Sequence, residues 1–210
     1  MKHDRATALS LLAGAAGGVL TMVLHPTGGS YGLEGERLEH AAAVAAWVHG
    51  LGIASIGLQL AGAWGVSARL DRERWCTRAG LVAFLFACIM GSCAATISGL
   101  SAPHIAEQLA FADADRGAAM RASLFPLHAL VAAFTDVFIV GLALTPLLWA
   151  WPLASRARVP ALGGLALGVL GLGAYGAGAL VDEVHPLGVF VAGFAAWLVA
   201  LAAWLWRTGD

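Results

Sequence analysis

Six stretches of this chain are apolar for long enough to cross a lipid bilayer, which leaves few folds open to it. A hydrocarbon core offers no water to backbone N–H and C=O groups, so a segment of about 20 residues must satisfy them internally as a helix. The stretches run over approximately residues 6–24, 40–68, 78–100, 124–151, 160–181 and 187–206. They predict an all-α integral membrane protein, one transmembrane domain over residues 1–210 built as a six-helix bundle. Composition agrees: 60% of residues are hydrophobic and 12% charged, about half the charge fraction of a soluble domain. The lipid bilayer is thus the first expected partner. A net charge of -1 gives no reason to expect nucleic acid.

The second and fourth stretches exceed the core thickness and should tilt, kink or project. Pro146 removes a backbone donor inside the fourth and predicts a kink there. Ser123 followed by Pro126 reads as a helix start, as do Pro160 and Pro186 at the heads of the fifth and sixth helices. Lys2 and Arg5 before the first stretch resemble the head of a secretory signal. Its apolar run is longer than a signal core, and we read it as a helix.

Charge sorts by side. With the N terminus inside, the inner segments hold Lys2, Arg5, Arg69, Arg72, Arg74, Arg78, Arg156, Arg158 and Arg207, against Arg37, Arg116 and Arg121 outside. Basic loops resist translocation, so both termini are expected on the cytoplasmic face, in a membrane of the bacterial cytoplasmic type. Glu34, Glu36, Glu39, Glu107, Asp113, Asp115, Asp182 and Glu183 fall outside. Trp64, Trp75, Trp149, Trp151, Trp204 and Trp206 form an expected interfacial belt on the inner side.

Many of the 27 glycines lie inside helices. Gly14 with Gly18, and Gly164 with Gly168, make small-xxx-small faces suited to close helix packing. Packing within one bundle is the favoured reading, and a homodimer through these Gly-rich faces the other. Cys76, Cys88 and Cys93 lie away from the expected outer segments, so no disulfide is expected. No Cys-x-x-Cys-His stretch exists to attach a c-type haem.

Histidine is the residue type that points to chemistry. Six of the seven fall in the expected outer half: His25, His40, His49, His104, His128 and His185. Imidazole ligates metals and haem iron and titrates near neutral pH. His25-Pro26, Pro103-His104 and His185-Pro186 also hint at a two-helix unit used three times. His40 and His49 are nine residues apart, roughly half a turn out of phase, so they cannot serve one ligand. His49 lies deeper and is the stronger site candidate. On the fourth helix, His128 and Thr135 share a face, and Asp136 lies about 80° round and about 12 Å deeper than His128. An acid at that depth costs at least about 2.5–3.5 kcal/mol on insertion scales, so it must face the interior. Ser55 with Gln59, and Cys88, Ser92, Thr96 and Gly99, form polar stripes that serve either helix–helix hydrogen bonding or a cavity wall. Gln59, Ser92, Thr96 and Thr135 are the expected wall residues. Asp182, Glu183 and His185 with the acids of the first outer loop form an acidic rim able to collect a cation. Residues 101–123 can hold a helix lying on the membrane, or a lid.

The sequence holds no phosphate-binding glycine loop, zinc helix or nucleophile elbow. The favoured function is a site binding haem b or a transition metal for redox or metal handling. His49 and His128 are the expected ligands, with His25 and His185 in reserve. The first alternative is a small-solute or proton-coupled transporter in which Asp136 titrates. The second is a membrane-embedded enzyme or assembly factor.

Overall fold

Each apolar stretch forms a helix, and the flanking residues account for where most of them begin or stop. A computed structural model describes residues 2–25, 36–109, 111–180 and 184–208. In chain order these form α1 (Lys2–Val23), α2 (Glu36–Arg69), α3 (Trp75–Thr96), a π-helical turn (Ile97–Ser101), α4 (Ala102–Leu109), α5 (Ala114–Ala154), α6 (Arg158–Gly176) and α7 (Val184–Thr208). Six of the helical runs are long and apolar enough to span a membrane, with α3, the π-helical turn and α4 forming one continuous run. No strand occurs among the described residues. The described residues are therefore all-α, with six helices of the length and composition of membrane spans.

The largest departure from the sequence expectation is α5. It begins at Ala114, not near 124, because the Asp113 side chain accepts a hydrogen bond from the Arg116 N–H at 2.8 Å and caps the helix there. Pro126 then lies inside the helix, with Pro146 and Pro152. At 41 residues α5 is about 60 Å long, twice a hydrocarbon core. Helix α6 stops at Gly176, several residues early, where Gly178 takes a left-handed φ of 76°. Helix α2 starts at Glu36, so His40 stands on its first turns and is exposed.

Neighbours in the chain are neighbours in space. Helix α1 packs on α2, α2 on α3, α3 on α5, α5 on α6, α6 on α7, and α7 back on α1, closing a ring. Both chain ends lie at one end of it: the Arg5 guanidinium sits 5.9 Å from the Trp206 ring, and Arg69 Nη2 donates to the Thr208 carbonyl at 3.1 Å. We call this the terminal end and the opposite one the distal end.

The terminal half is packed solid around aromatic rings. Phe84 of α3 stacks on Phe194 of α7 at 5.7 Å, Phe194 meets Trp197 at 5.5 Å, and Trp197 meets Trp149 of α5 at 6.0 Å. Both indoles are satisfied: Trp149 Nε1 donates to the Thr77 carbonyl at 3.1 Å and Trp197 Nε1 to the Pro160 carbonyl at 2.9 Å. Trp149 is thus a core residue, 1% exposed, and not part of an interfacial belt. The belt expectation put it at the surface because sequence position gives depth and not facing. Trp64, Trp75, Trp151 and Trp206 are exposed at the terminal end.

The glycine faces are used within the chain. A Cβ on Gly164 would meet the Pro146 carbonyl oxygen at 2.8 Å, and one on Gly168 the Ala143 carbonyl oxygen at 2.8 Å and Leu147 Cβ at 2.6 Å. Gly14 meets the backbone of Gln59 and Ser55 on α2 in the same way, while Gly18 faces only the Gln59 side-chain amide. Backbone atoms cannot step aside as a flexible side chain can. We predict that Gly168→Val destabilises the bundle by about 1–3 kcal/mol, read as a lower Tm of the detergent-purified chain. Gly173→Ala, where a Cβ meets nothing within 4 Å, should leave Tm unchanged or raise it.

Candidate functional site

The distal half of the ring encloses a cavity instead of a core. It begins with the α1–α2 pair, whose backbones come close because small residues face one another. A Cβ on Gly17 would fall 2.8 Å from Ser55 Cβ, and one on Gly52 would fall 3.1 Å from Thr21 Cγ2. This approach carries His25, just past the end of α1, to His49 of α2: their ring centroids are 5.1 Å apart, edge to face.

His49 is held from two sides. Its Nδ1 lies 2.7 Å from the Ala45 carbonyl oxygen one turn back. A carbonyl only accepts, so Nδ1 carries a proton and Nε2 is the ring nitrogen left outside that bond. Donation of one ring N–H to a carbonyl while the other nitrogen stays available is how proteins prepare a ligating or basic imidazole. The ring is 6% exposed and lies against Gly99, where a Cβ would be 2.2 Å from His49 Cγ. Gly99 belongs to the π-helical turn Ile97–Ser101. Such turns insert one residue into an α-helix and recur at functional sites.

The cavity has a volume of about 410 Å³. Its walls are Thr21, Met22 and His25 from α1 and its end, His49, Gly52 and Ile56 from α2, and Gly91, Ala94, Ala95 and Ser98 from α3 and the π-helical turn. Helix α5 contributes His128, Val131, Ala132, Thr135, Asp136 and Phe138, while Leu180 and Leu187 complete the enclosure. Asp136 follows His128 by eight residues, so the two are about 12 Å apart along the helix. His128 is exposed, whereas Asp136 is half-buried and the buried Ile139 and Leu142 follow it into the core. His128 therefore stands at the mouth and Asp136 near the floor.

Hydrogen bonding separates the cavity's polar groups into two kinds. The hydroxyls of Thr21, Ser98 and Thr135 each donate to the carbonyl of the residue four earlier, at 2.9, 2.8 and 2.8 Å. Their donors are spent on their own helices. Asp136 Oδ1, in contrast, is buried with no hydrogen-bond partner among the described residues. An unsatisfied buried acceptor costs about 1–3 kcal/mol. Asp136 also belongs to the wall of the cavity that holds His25, His49 and His128.

Of the residues expected from sequence, His25, His49, His128, Thr135 and Asp136 meet at this cavity. The others are elsewhere. His185 is exposed at the start of α7 and does not line it. Gln59 donates through Nε2 to the Gly14 carbonyl at 2.9 Å, so it links two helices. Ser92 and Thr96 also lie off the wall; the Thr96 hydroxyl donates to the Ser92 carbonyl at 2.8 Å. Of the expected acidic rim, Asp182, Glu183 and Glu34 lie outside the described residues, as does Pro26, while Glu39 and His185 are exposed. Among the described residues no three of His, Cys, Asp or Glu gather closely enough to form a ready-made metal cage. Sequence reasoning placed Gly99 in the polar stripe of the third helix but missed Ser98 and the π-helical turn, which carries no signature in residue type.

Compared with known protein families, curated proteins and solved structures, the chain matches none.

The Nδ1 proton assignment is directly testable. In ¹⁵N-histidine-labelled protein, His49 should show a proton on Nδ1 hydrogen-bonded to the Ala45 carbonyl. Gly99→Ala should displace that signal through the added methyl group, while Gly57→Ala on the same helix as His49, with nothing within 4 Å, should not. A His49 ring protonated at Nε2 alone would sink the assignment.

Proposed function

We propose that this is a multi-pass membrane protein whose distal cavity binds a single transition-metal cation of the kind imidazole prefers. The His25–His49 pair carries the reading. Two imidazoles on one tetrahedral ion, with metal–nitrogen distances of about 2.0–2.1 Å, place their ring centroids about 5 Å apart. His25 and His49 stand at 5.1 Å, and His49 offers Nε2 because Nδ1 is committed to Ala45. Across the cavity on α5 stand His128 and Asp136, about 12 Å apart along the helix and so too far apart to share one ion; Asp136 is the further ligand, and its carboxylate supplies negative charge to a cation. With only two imidazoles in place, α5 must move toward α1 and α2 to complete the set. Its internal prolines weaken the helix ladder and make such bending cheap.

An ion is favoured over haem b. Axial imidazoles on opposite faces of one haem iron have ring centroids about 6 Å apart in a straight line through it, and the His25–His49 pair, at 5.1 Å, stands closer than that.

The detergent-purified chain should bind one equivalent of Co(II) and show the visible absorption of a low-symmetry nitrogen-ligated site. Zn(II) should displace it. His49→Ala and His25→Ala should each weaken binding by at least about 10–100-fold, and His185→Ala should leave it unchanged. Saturable binding that survives both cavity substitutions, or no saturable binding, sinks the proposal.

One observation favours a second reading, proton-coupled passage of a small solute: the orphaned oxygen of Asp136. A carboxyl at that depth is able to take up and release a proton as a solute passes. Asp136→Asn should then abolish uptake into proteoliposomes, and unchanged uptake removes the reading.

The charge asymmetry supports a cytoplasmic terminal end, with the cavity opening to the other side. A cysteine placed at Glu73, in the α2–α3 turn, should react with a membrane-impermeant maleimide only after inner-face access is opened. Labelling from outside in intact cells would reverse the topology.

A further inference from the structure

A second cleft lies at the terminal end, between α1 and α2, with a volume of about 500 Å³. Its polar wall is His3, Thr7, Ser10, Arg69 and Arg72, with Asp4 also at the rim and itself engaged by another group. Arg72 is half-buried and pre-ordered. Its guanidinium lies 4.3 Å from the Trp64 ring, Nη2 donates to the Trp64 carbonyl at 2.9 Å, and Nε donates to Ser67 Oγ at 3.3 Å. That leaves both N–H groups of Nη1 and the second N–H of Nη2. Arg69 uses Nη2 on the Thr208 carbonyl at 3.1 Å and keeps Nε and Nη1. Planar guanidinium donors at one site match phosphate oxygens.

We infer that this cleft binds the phosphodiester headgroup of an anionic phospholipid. Two observations choose lipid over free phosphate, and a third chooses the headgroup charge. The cleft opens at the level of the exposed Trp64, Trp75, Trp151 and Trp206, the residues that mark a membrane interface. Its remaining wall, Ala61, Trp64 and Ala68, is exposed on the outer surface of the ring and gives acyl chains an apolar surface to follow. Free phosphate has no use for such a wall. The arginines outnumber the single carboxylate, so the cleft prefers an anionic headgroup to a zwitterionic one. The inference is independent of the distal cavity.

The test uses the full chain purified in detergent, with dioctanoyl-phosphatidylglycerol, dioctanoyl-phosphatidylcholine and inorganic phosphate as probes. Binding is read by native mass spectrometry and by the shift in Tm. Phosphatidylglycerol should bind and stabilise, while the other two should not. Arg72→Gln and Arg69→Gln should each weaken phosphatidylglycerol binding by about tenfold, and Arg72→Lys should fall between, keeping charge but losing the planar fork. Arg158→Gln, at the same end but outside the cleft, should bind as the parent does. Should Arg72→Gln fail to fold, Arg69→Gln decides, since its one side-chain hydrogen bond is at the exposed surface. Equal binding of phosphatidylcholine, equal stabilisation by phosphate, or an equal loss in Arg158→Gln each overturns the inference.

Discussion

Close approach of helix backbones through glycine is the condition on which the rest of this bundle depends. In lipid there is little hydrophobic gain in bringing one apolar helix to another, so dispersion contacts and interhelical hydrogen bonds must hold the ring together. Both need short distances. Gly14, Gly17 and Gly52 let α1 and α2 approach until Gln59 reaches the Gly14 carbonyl, and Gly164 and Gly168 let α6 seat against carbonyls of α5. Gly80 does the same between α3 and α5, where Thr145 bonds to its carbonyl and the Trp149 indole covers it. The faces that read in isolation as a dimer signature are therefore occupied by the chain's own helices.

That close packing is not spread evenly along the bundle. Toward the termini, large rings and leucines fill the centre and each indole N–H has a carbonyl partner. Toward the distal end the small residues Gly91, Ala94, Ala95 and Ala132 line the interior, and a cavity remains. Polar groups follow the space: three imidazoles and a carboxyl face the cavity, while the buried hydroxyls of Thr77 and Thr145 in the packed half all find carbonyls. A site in a membrane bundle requires this kind of asymmetry. The packed half fixes the helix positions, and the loose half holds the groups whose partners arrive from outside.

Hydropathy alone located the six helices, because nothing competes with a long apolar run for a place in the bilayer. Helix ends were harder. Asp113 lies in a polar stretch and caps α5 some ten residues before the apolar run begins, so the helix start and the membrane boundary are different events. Depth was legible for the site residues, and facing was only partly so. His128 and Thr135 follow from seven-residue spacing. On α3, however, the wall is Gly91, Ala94, Ala95 and Ser98, spaced i, i+3, i+4 and i+7 as one helical face should be. Ser92 and Thr96 lie one residue away, about 100° round. Polarity does not mark the cavity face, because in lipid a hydroxyl that bonds its own helix can sit anywhere on it.

The π-helical turn explains why the distal end differs from a regular continuation of the ring. An α-helix carried straight through residues 97–101 keeps a fixed phase; one extra residue in the turn rotates everything after it by about 100°. The turn comes where α3 passes α2, and there Gly99 accommodates an imidazole that no side chain would admit. His49 is thereby pinned between the Ala45 carbonyl on its own helix and a neighbouring backbone with no Cβ. Its ring can neither rotate to expose Nδ1 nor withdraw from His25 without moving α3. The local irregularity thus fixes the Nδ1 proton and the orientation of the one histidine that is buried, and the chemistry of the cavity follows from the direction in which its Nε2 is left.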